Sequence, residues 1–202
     1  LVGQTDGTAI VIEHFEELEI VGLPRRTDGI ILGMCQTGKA CFTVDTEKRE
    51  LTSNTVIIVS DHQVVDKLEH SDDFTGKALI ISRNFFDECV SGLSDLSSLL
   101  LFVRSHPIFD VDDNTAGLIN NYFRALVIKI NEDSNHYRRE LVRSVFSTLI
   151  YDICNVMHNF IEVYEEESVV PRGNVIFVQF LKLVENNFRR ERRVSWYAEQ
   201  LC

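Results

Sequence analysis

Over the first hundred residues the apolar positions fall in short runs separated by turn-forming residues, and helical periodicity begins only afterwards. Ile10-Val11-Ile12, Ile30-Ile31-Leu32, Ala40 to Val44, Val56 to Val59, Gln63-Val64-Val65 and Ala78 to Ile81 are rich in β-branched residues, which suit a pleated, half-buried surface. Gly38 marks a reversal. Asp45 to Glu50 reads as a polar hairpin tip, Leu51-Thr52 as the start of the return, and Ser53-Asn54 as another turn. Many short strands without strand–helix alternation predict a sandwich or small barrel, not a doubly wound parallel sheet.

Beyond Ser82, which is placed to cap a helix at Asn84-Phe85-Phe86, the period changes. Leu93 to Arg104 predicts a second helix, stopped by Pro107, and Ile108-Phe109 bridges to a stronger element. There Asp112-Asp113 put negative charge at the start. Leu118, Ile119, Tyr122, Phe123, Leu126, Val127 and Ile130 then recur at three and four, predicting about five helical turns. The longest predicted helix, His136 to Glu165, carries a stripe of Val142, Phe146, Leu149, Ile153, Val156 and Phe160. Leu141, Val145, Thr148, Ile150, Met157 and Ile161 flank that stripe. One stripe suffices for a surface helix, so the excess predicts a homodimer with Leu141, Val145, Leu149 and Val156 at the interface. Enclosure of the helix within its own domain is the alternative.

Pro171-Arg172-Gly173 reads as a linker. A further helix follows with Ile176, Phe177, Phe180, Leu181, Val184 and Phe188 on one face. Arg189, Arg190, Glu191, Arg192 and Arg193 form a basic turn, and Ser195 is placed as the N-cap of a last helix through Leu201. The sequence ends at Cys202 within that helix, where no native domain is expected to stop. Because Leu1 is not a Met, residues are expected before it as well.

Composition divides the chain. The net charge is −11, yet residues 1–170 hold 14 basic against 28 acidic side chains, and residues 171–202 hold 6 against 3. Only the C-terminal segment suits an approach to nucleic acid. A hydrophobic share of 45% supports a real core. The longest purely apolar run, Leu99 to Val103, is far short of a membrane span, and no secretory leader is visible, so no membrane partner and a cytoplasmic location are expected. Five scattered cysteines without a C-x-x-C pair read as reduced thiols.

Candidate chemistry is sparse. Strand ligands need i, i+2 spacing to face one cavity, and none of the six histidines stands in an H-x-H or H-x-x-x-H pair. No nucleophile elbow, P-loop, H-E-x-x-H or G-x-G-x-x-G occurs. No catalytic residue, metal or cofactor is therefore expected, and the chain reads as a non-enzyme. A barrel can hold one small molecule among inward-facing residues. Ile30, Leu32 and Met34 share one face, as do Ala40, Phe42 and Val44; Arg25, Met34, Phe42 and His62 are the candidate ligand-binding residues. A barrel packed solid is the open alternative.

The segment from Phe177 through Arg193 to Val194-Ser195-Trp196-Tyr197-Ala198-Glu199-Gln200-Leu201 resembles the opening of the DNA-binding domain of AraC-type transcription regulators. Arg25 to Leu32 with Gly38-Lys39, then Leu51, Asn54 and Val56 to Val59, then Asp72-Asp73-Phe74, Gly76 and Leu79 to Ser82, loosely resemble that family's cupin-like barrel. The resemblance covers nearly the whole chain and implies an α+β architecture. Its parts would be a cupin-like effector-sensing barrel with short trailing helices over 1–107, dimerisation helices over 108–168, and a truncated helix-turn-helix start over 171–202. It implies a homodimeric regulator that senses a small-molecule effector and binds DNA as the full-length protein. Arg189, Arg190, Arg192, Arg193 and Ser195 would lie near the DNA backbone, the recognition helix following beyond. A stand-alone cupin-type metal enzyme and a regulator whose barrel is only a scaffold are the competing readings.

Overall fold

The strands that form the centre of the structure are apolar on both faces, and this fixes the layering. In a computed structural model, residues 2–4, 9–14, 25–26, 29–93, 96–167, 176, 179–180, 183–184, 187–188 and 190–201 are described. The strands are β1 (Val2–Gln4), β2 (Ala9–Ile12), β3 (Arg25–Arg26), β4 (Gly29–Thr37), β5 (Ala40–Val44), β6 (Glu47–Leu51), β7 (Thr55–Val59), β8 (Val64–His70), β9 (Thr75–Ser82) and β10 (Ile108–Asp110). The helices are α1 (Arg83–Val90), α2 (Leu96–Ser105), α3 (Asp113–Ile130), α4 (Arg138–Glu167) and α5 (Val194–Gln200). A six-stranded sheet runs β1-β2-β9-β4-β7-β10 and a four-stranded sheet runs β3-β8-β5-β6, with antiparallel pairing throughout the described strands.

The alternation of side chains along β4 and β7 separates two cores. Cys35, Ile57 and Val59 join Ala40, Phe42, Val44, Leu51 and Phe74 between the two sheets, which is the barrel interior. Ile30, Leu32, Met34, Val56 and Ile58 point the other way, joining Val11, Leu79 and Ile81 in a larger core with Phe85, Phe123, Phe146 and Leu149 of the helices. The chain is thus an α+β protein: a double-sheet barrel with a helical layer on the outer face of its six-stranded sheet. That is the architecture the resemblance implied for this half. The division expected between 107 and 108 is not a packing boundary, because β10 pairs with β7 and one core joins the barrel wall to α1–α4.

Local chemistry accounts for several element ends. Ser82 Oγ accepts from Phe85 N at 3.4 Å, the cap expected there, and Asp112 Oδ1, expected only to bring negative charge to its helix start, accepts from Thr115 N at 2.7 Å and caps it. Gly38 has φ +69°, and a Cβ there would lie 2.6 Å from Phe74 backbone, so the β4–β5 reversal requires glycine. The polar tip expected over Asp45 to Glu50 is shorter than predicted: only Asp45 and Thr46 form the turn, both with positive φ, and Glu47–Leu51 is an edge strand paired with β5. Charged residues suit an unprotected edge, which hides β6 from an apolar-pattern reading. Ile108-Phe109, expected as a bridge, belongs to β10.

Two further expectations are corrected. Leu149 is fully buried, and Ile150, Ile153 and Met157 are also enclosed, within this one chain. Leu141, Val145 and Val156 are half-buried, Val145 and Val156 against the same core. The broad apolar face of α4 therefore packs in large part against α1, α2 and α3 of its own chain. At the C-terminal end, Ser195 is not the N-cap: α5 starts at Val194, its N-cap is Arg193, and no side chain caps it.

Candidate functional site

The barrel interior does not gather the four candidate ligand residues. Phe42 lies inside, 5% exposed, with Leu51 and Val44. Met34 is buried on the opposite face of β4, against the helical layer, because inward and outward positions alternate and Cys35 takes the inward one. His62 stands outside, in the turn after β7, with φ +69° and Nε2 3.5 Å from Asp61 Oδ2. For Arg25 the structure describes the backbone, which pairs with Val65 at the edge of the four-stranded sheet.

An arginine that the motifs passed over sits closer to the interior. Arg49 is two residues from buried Leu51 and directly across from Phe42, so it shares their inward face. Its guanidinium pairs with Glu47. A search for apolar strands misses it, because β6 reads as a loop.

One end of the barrel is closed by a polar network. Gln63 is 1% exposed; its Oε1 accepts from Ser60 N at 3.0 Å and Ser60 Oγ at 2.9 Å, and its Nε2 donates to Asp45 Oδ2 at 3.0 Å. Asp45 Oδ1 accepts from Val64 N at 2.8 Å. The Val64 amide, then Gln63 and the charge of Arg104, hold the Asp45 carboxyl below its usual range. At the other end, Gln36 Nε2 donates to Asn120 Oδ1 at 2.9 Å and Asn54 Nδ2 to Asp113 Oδ1 at 2.7 Å, tying the rim to α3.

The exposed apolar side chains of the helical layer lie elsewhere than expected. Leu118 and Ile128 of α3 are 41% and 53% exposed, and with Asn121 and Ala125 they follow a three–four spacing along one outer face. Tyr151 of α4 is also exposed.

The basic turn holds an internal counter-charge. Glu191 Oε1 accepts from Arg192 N and Arg193 N, both at 2.9 Å, and its carboxylate takes Arg193 Nε at 3.1 Å and Nη2 at 2.9 Å. Those bonds push the Glu191 carboxyl down to about 2, with the Arg193 side chain first among the causes. Tyr197, the buried residue of α5, donates from its hydroxyl to Glu191 O at 2.7 Å and packs edge-on against Phe180. Arg190 and Arg192 are exposed, as is Ser195; Arg189 lies outside the described residues. Tyr197 is the residue of the helix that is buried, and Ala198 is exposed.

Among the described residues no group of three or more His, Cys, Asp or Glu is arranged to hold a metal ion, and no described helix is long and apolar enough to cross a membrane. Burial pushes the Cys35, Cys89 and Cys154 thiols up to about 11, leaving them inert as nucleophiles.

No family model and no curated protein matches the chain. Among solved structures it is similar to ToxT from Vibrio cholerae, with 16% identity, a TM-score of 0.40, and coverage of 88% of this chain and 64% of ToxT. It is also similar to the AraC-like transcriptional activator CuxR, at 9% identity and a TM-score of 0.37, covering 95% of this chain and 70% of that one. A cupin superfamily protein from Desulfitobacterium hafniense covers 39% of this chain at 16% identity and a TM-score of 0.28. The chain spans about 64% of the length of the ToxT structure.

Proposed function

We propose that the chain is the regulatory portion of a DNA-binding transcription regulator of AraC type, non-catalytic and cytoplasmic. The carrying observation is the order of parts in one polypeptide. A double-sheet barrel is followed by a helical layer, then by a basic turn and a helix reading Val194-Ser195-Trp196-Tyr197-Ala198-Glu199-Gln200. An acidic body and a basic C-terminal segment support the same division of labour. In this reading a small-molecule effector in the barrel biases the helical layer, and the layer sets the spacing of two DNA-binding units in a homodimer. The pairing surface is the outer face of α3, since the α4 stripe is largely consumed internally.

The test is selection of duplexes from a random pool by the full-length protein, followed by titration at several salt concentrations. A recurrent sequence, bound well above random DNA, is the expected result. Binding no tighter than to random duplex would sink the proposal.

One observation favours a variant in which the barrel serves only as a scaffold. Cys35, Ala40, Phe42, Val44, Leu51, Ile57, Val59 and Phe74 are all buried together in its interior. Thermal-shift screening separates the two, because a ligand of the native state raises the melting temperature and a scaffold gains from none.

A further inference from the structure

We propose that Glu191 is a built-in competitor for DNA phosphate, keeping Arg193 out of the protein–DNA contact and setting the affinity of the basic turn. This inference rests on the DNA-binding reading of the C-terminal segment. Its ground is a difference among the arginines of the turn. The Arg193 guanidinium is held by the Glu191 carboxylate through Nε and Nη2, the two-point geometry with which an arginine also grips a phosphate. All three of Arg190, Arg192 and Arg193 are exposed, but Arg190 and Arg192 have no ion pair among the described residues. The turn that carries Glu191 is itself fixed. Its carboxylate takes the amides of Arg192 and Arg193, and its carbonyl is bonded by buried Tyr197. The negative group therefore stays beside Arg193 whether or not DNA approaches.

Two consequences separate this role from a purely structural one. A phosphate engaged by an arginine releases counterions, so each such contact steepens the dependence of log K on log salt by about 0.9. With Arg193 sequestered, its removal leaves that slope unchanged. Glu191→Gln keeps an amide oxygen to accept the two backbone N–H groups while removing the charge that holds Arg193. The freed guanidinium then gains a phosphate.

The experiment measures binding of the full-length protein to its selected duplex, across a salt series, for wild type, R193Q, E191Q and E191Q/R193Q. R193Q is expected to keep the wild-type slope. E191Q is expected to bind about two- to fivefold tighter at low salt, the range of an exposed ion pair, with a slope steeper by about 0.9. The double variant is expected to return to the wild-type slope. If R193Q flattens the slope by about 0.9, Arg193 already touches phosphate and the proposal is overturned. The same holds if E191Q binds equally or more weakly with the slope unchanged. Should E191Q not fold, R193Q alone decides. If wild type binds no duplex in a salt-dependent way, the regulator reading fails and this inference falls with it.

Discussion

Tyr122 of α3 donates its hydroxyl proton to Asp152 of α4 across 2.5 Å, and this bond ties the two long helices together beside their shared core. The carboxylate acceptor, aided by burial and by its charge, pushes the Tyr122 phenol up to about 12 from an ordinary value of 10.0. A raised phenol means the fold favours the neutral form. Its contribution is complete below pH 10 and is lost as pH rises towards 12. Absorbance titration should show a late tyrosine ionisation, and Tyr122→Phe should remove that late step. The same substitution should lower stability by about 1.5–3 kcal/mol at neutral pH, the scale of a hydrogen bond to a charged acceptor. An unchanged alkaline titration in the variant would refute the assignment.

Gly33 and Ile57 face each other across β4 and β7 on the barrel side. A Cβ at Gly33 would stand 2.8 Å from Ile57 Cγ2, inside the packed interior. Gly33→Ala should therefore lower stability by about 1–3 kcal/mol through overpacking. Ile57→Ala removes the offending methyl at its own expense of about 2–5 kcal/mol. Combined, the two should be less damaging than their sum, with a coupling of about 0.5–3 kcal/mol in urea denaturation. Strict additivity would show that the two side chains do not compete for space.

What the sequence disclosed, and what it withheld, follows from the same strands. Turn chemistry and caps are local, so the limits of β5, the reversal at Gly38, and the helix starts at Ser82 and Asp112 could be read directly. Alternation shows that Ile30, Leu32 and Met34 share a face. It does not say which face looks into the barrel, because β4 and β7 are apolar on both sides. The same ambiguity holds for α4, where a broad apolar surface is met by three helices of its own chain, the enclosure that the pattern left open beside pairing with a second chain. β6 and β10 owe their strand character to pairing partners distant in sequence, which no local pattern contains. Glu191 was visible as a residue but not as a partner, since its role depends on how the turn folds back on Tyr197.

Self-association, if it uses the outer face of α3, should respond to Leu118 and Ile128 and not to the α4 stripe. Both are exposed, so Leu118→Asp and Ile128→Asp should leave thermal melting nearly unchanged, within about 0.5 kcal/mol. In sedimentation velocity each should shift a dimer towards monomer. Leu149→Asp should instead unfold the domain, because it places a charge in a fully enclosed site. A wild-type protein that sediments as a monomer at high micromolar concentration would end the dimer proposal.

Asp45 links the β5–β6 turn to the buried Gln63, and its titration should be visible in acid stability. Its carboxyl is lowered below the ordinary 3.8, chiefly by the Val64 amide, so the fold favours the charged form. The contribution is present above the ordinary value and is lost as pH falls through the lower, folded one. Asp45→Asn keeps one oxygen to accept from Val64 N but turns an amide N–H₂ group towards Gln63 Nε2, which is itself a donor. Gln63 cannot simply flip, because its oxygen already accepts from Ser60 N and Oγ. The variant should therefore be less stable by about 1 kcal/mol at neutral pH, a figure kept small because Asp45 itself is exposed. That gap should close as pH drops below 3.8, where the wild-type carboxyl also becomes a donor. Urea midpoints for both proteins over an acid series provide the measurement. A gap that stays constant across the series would show that the charge of Asp45 contributes nothing to holding the barrel end.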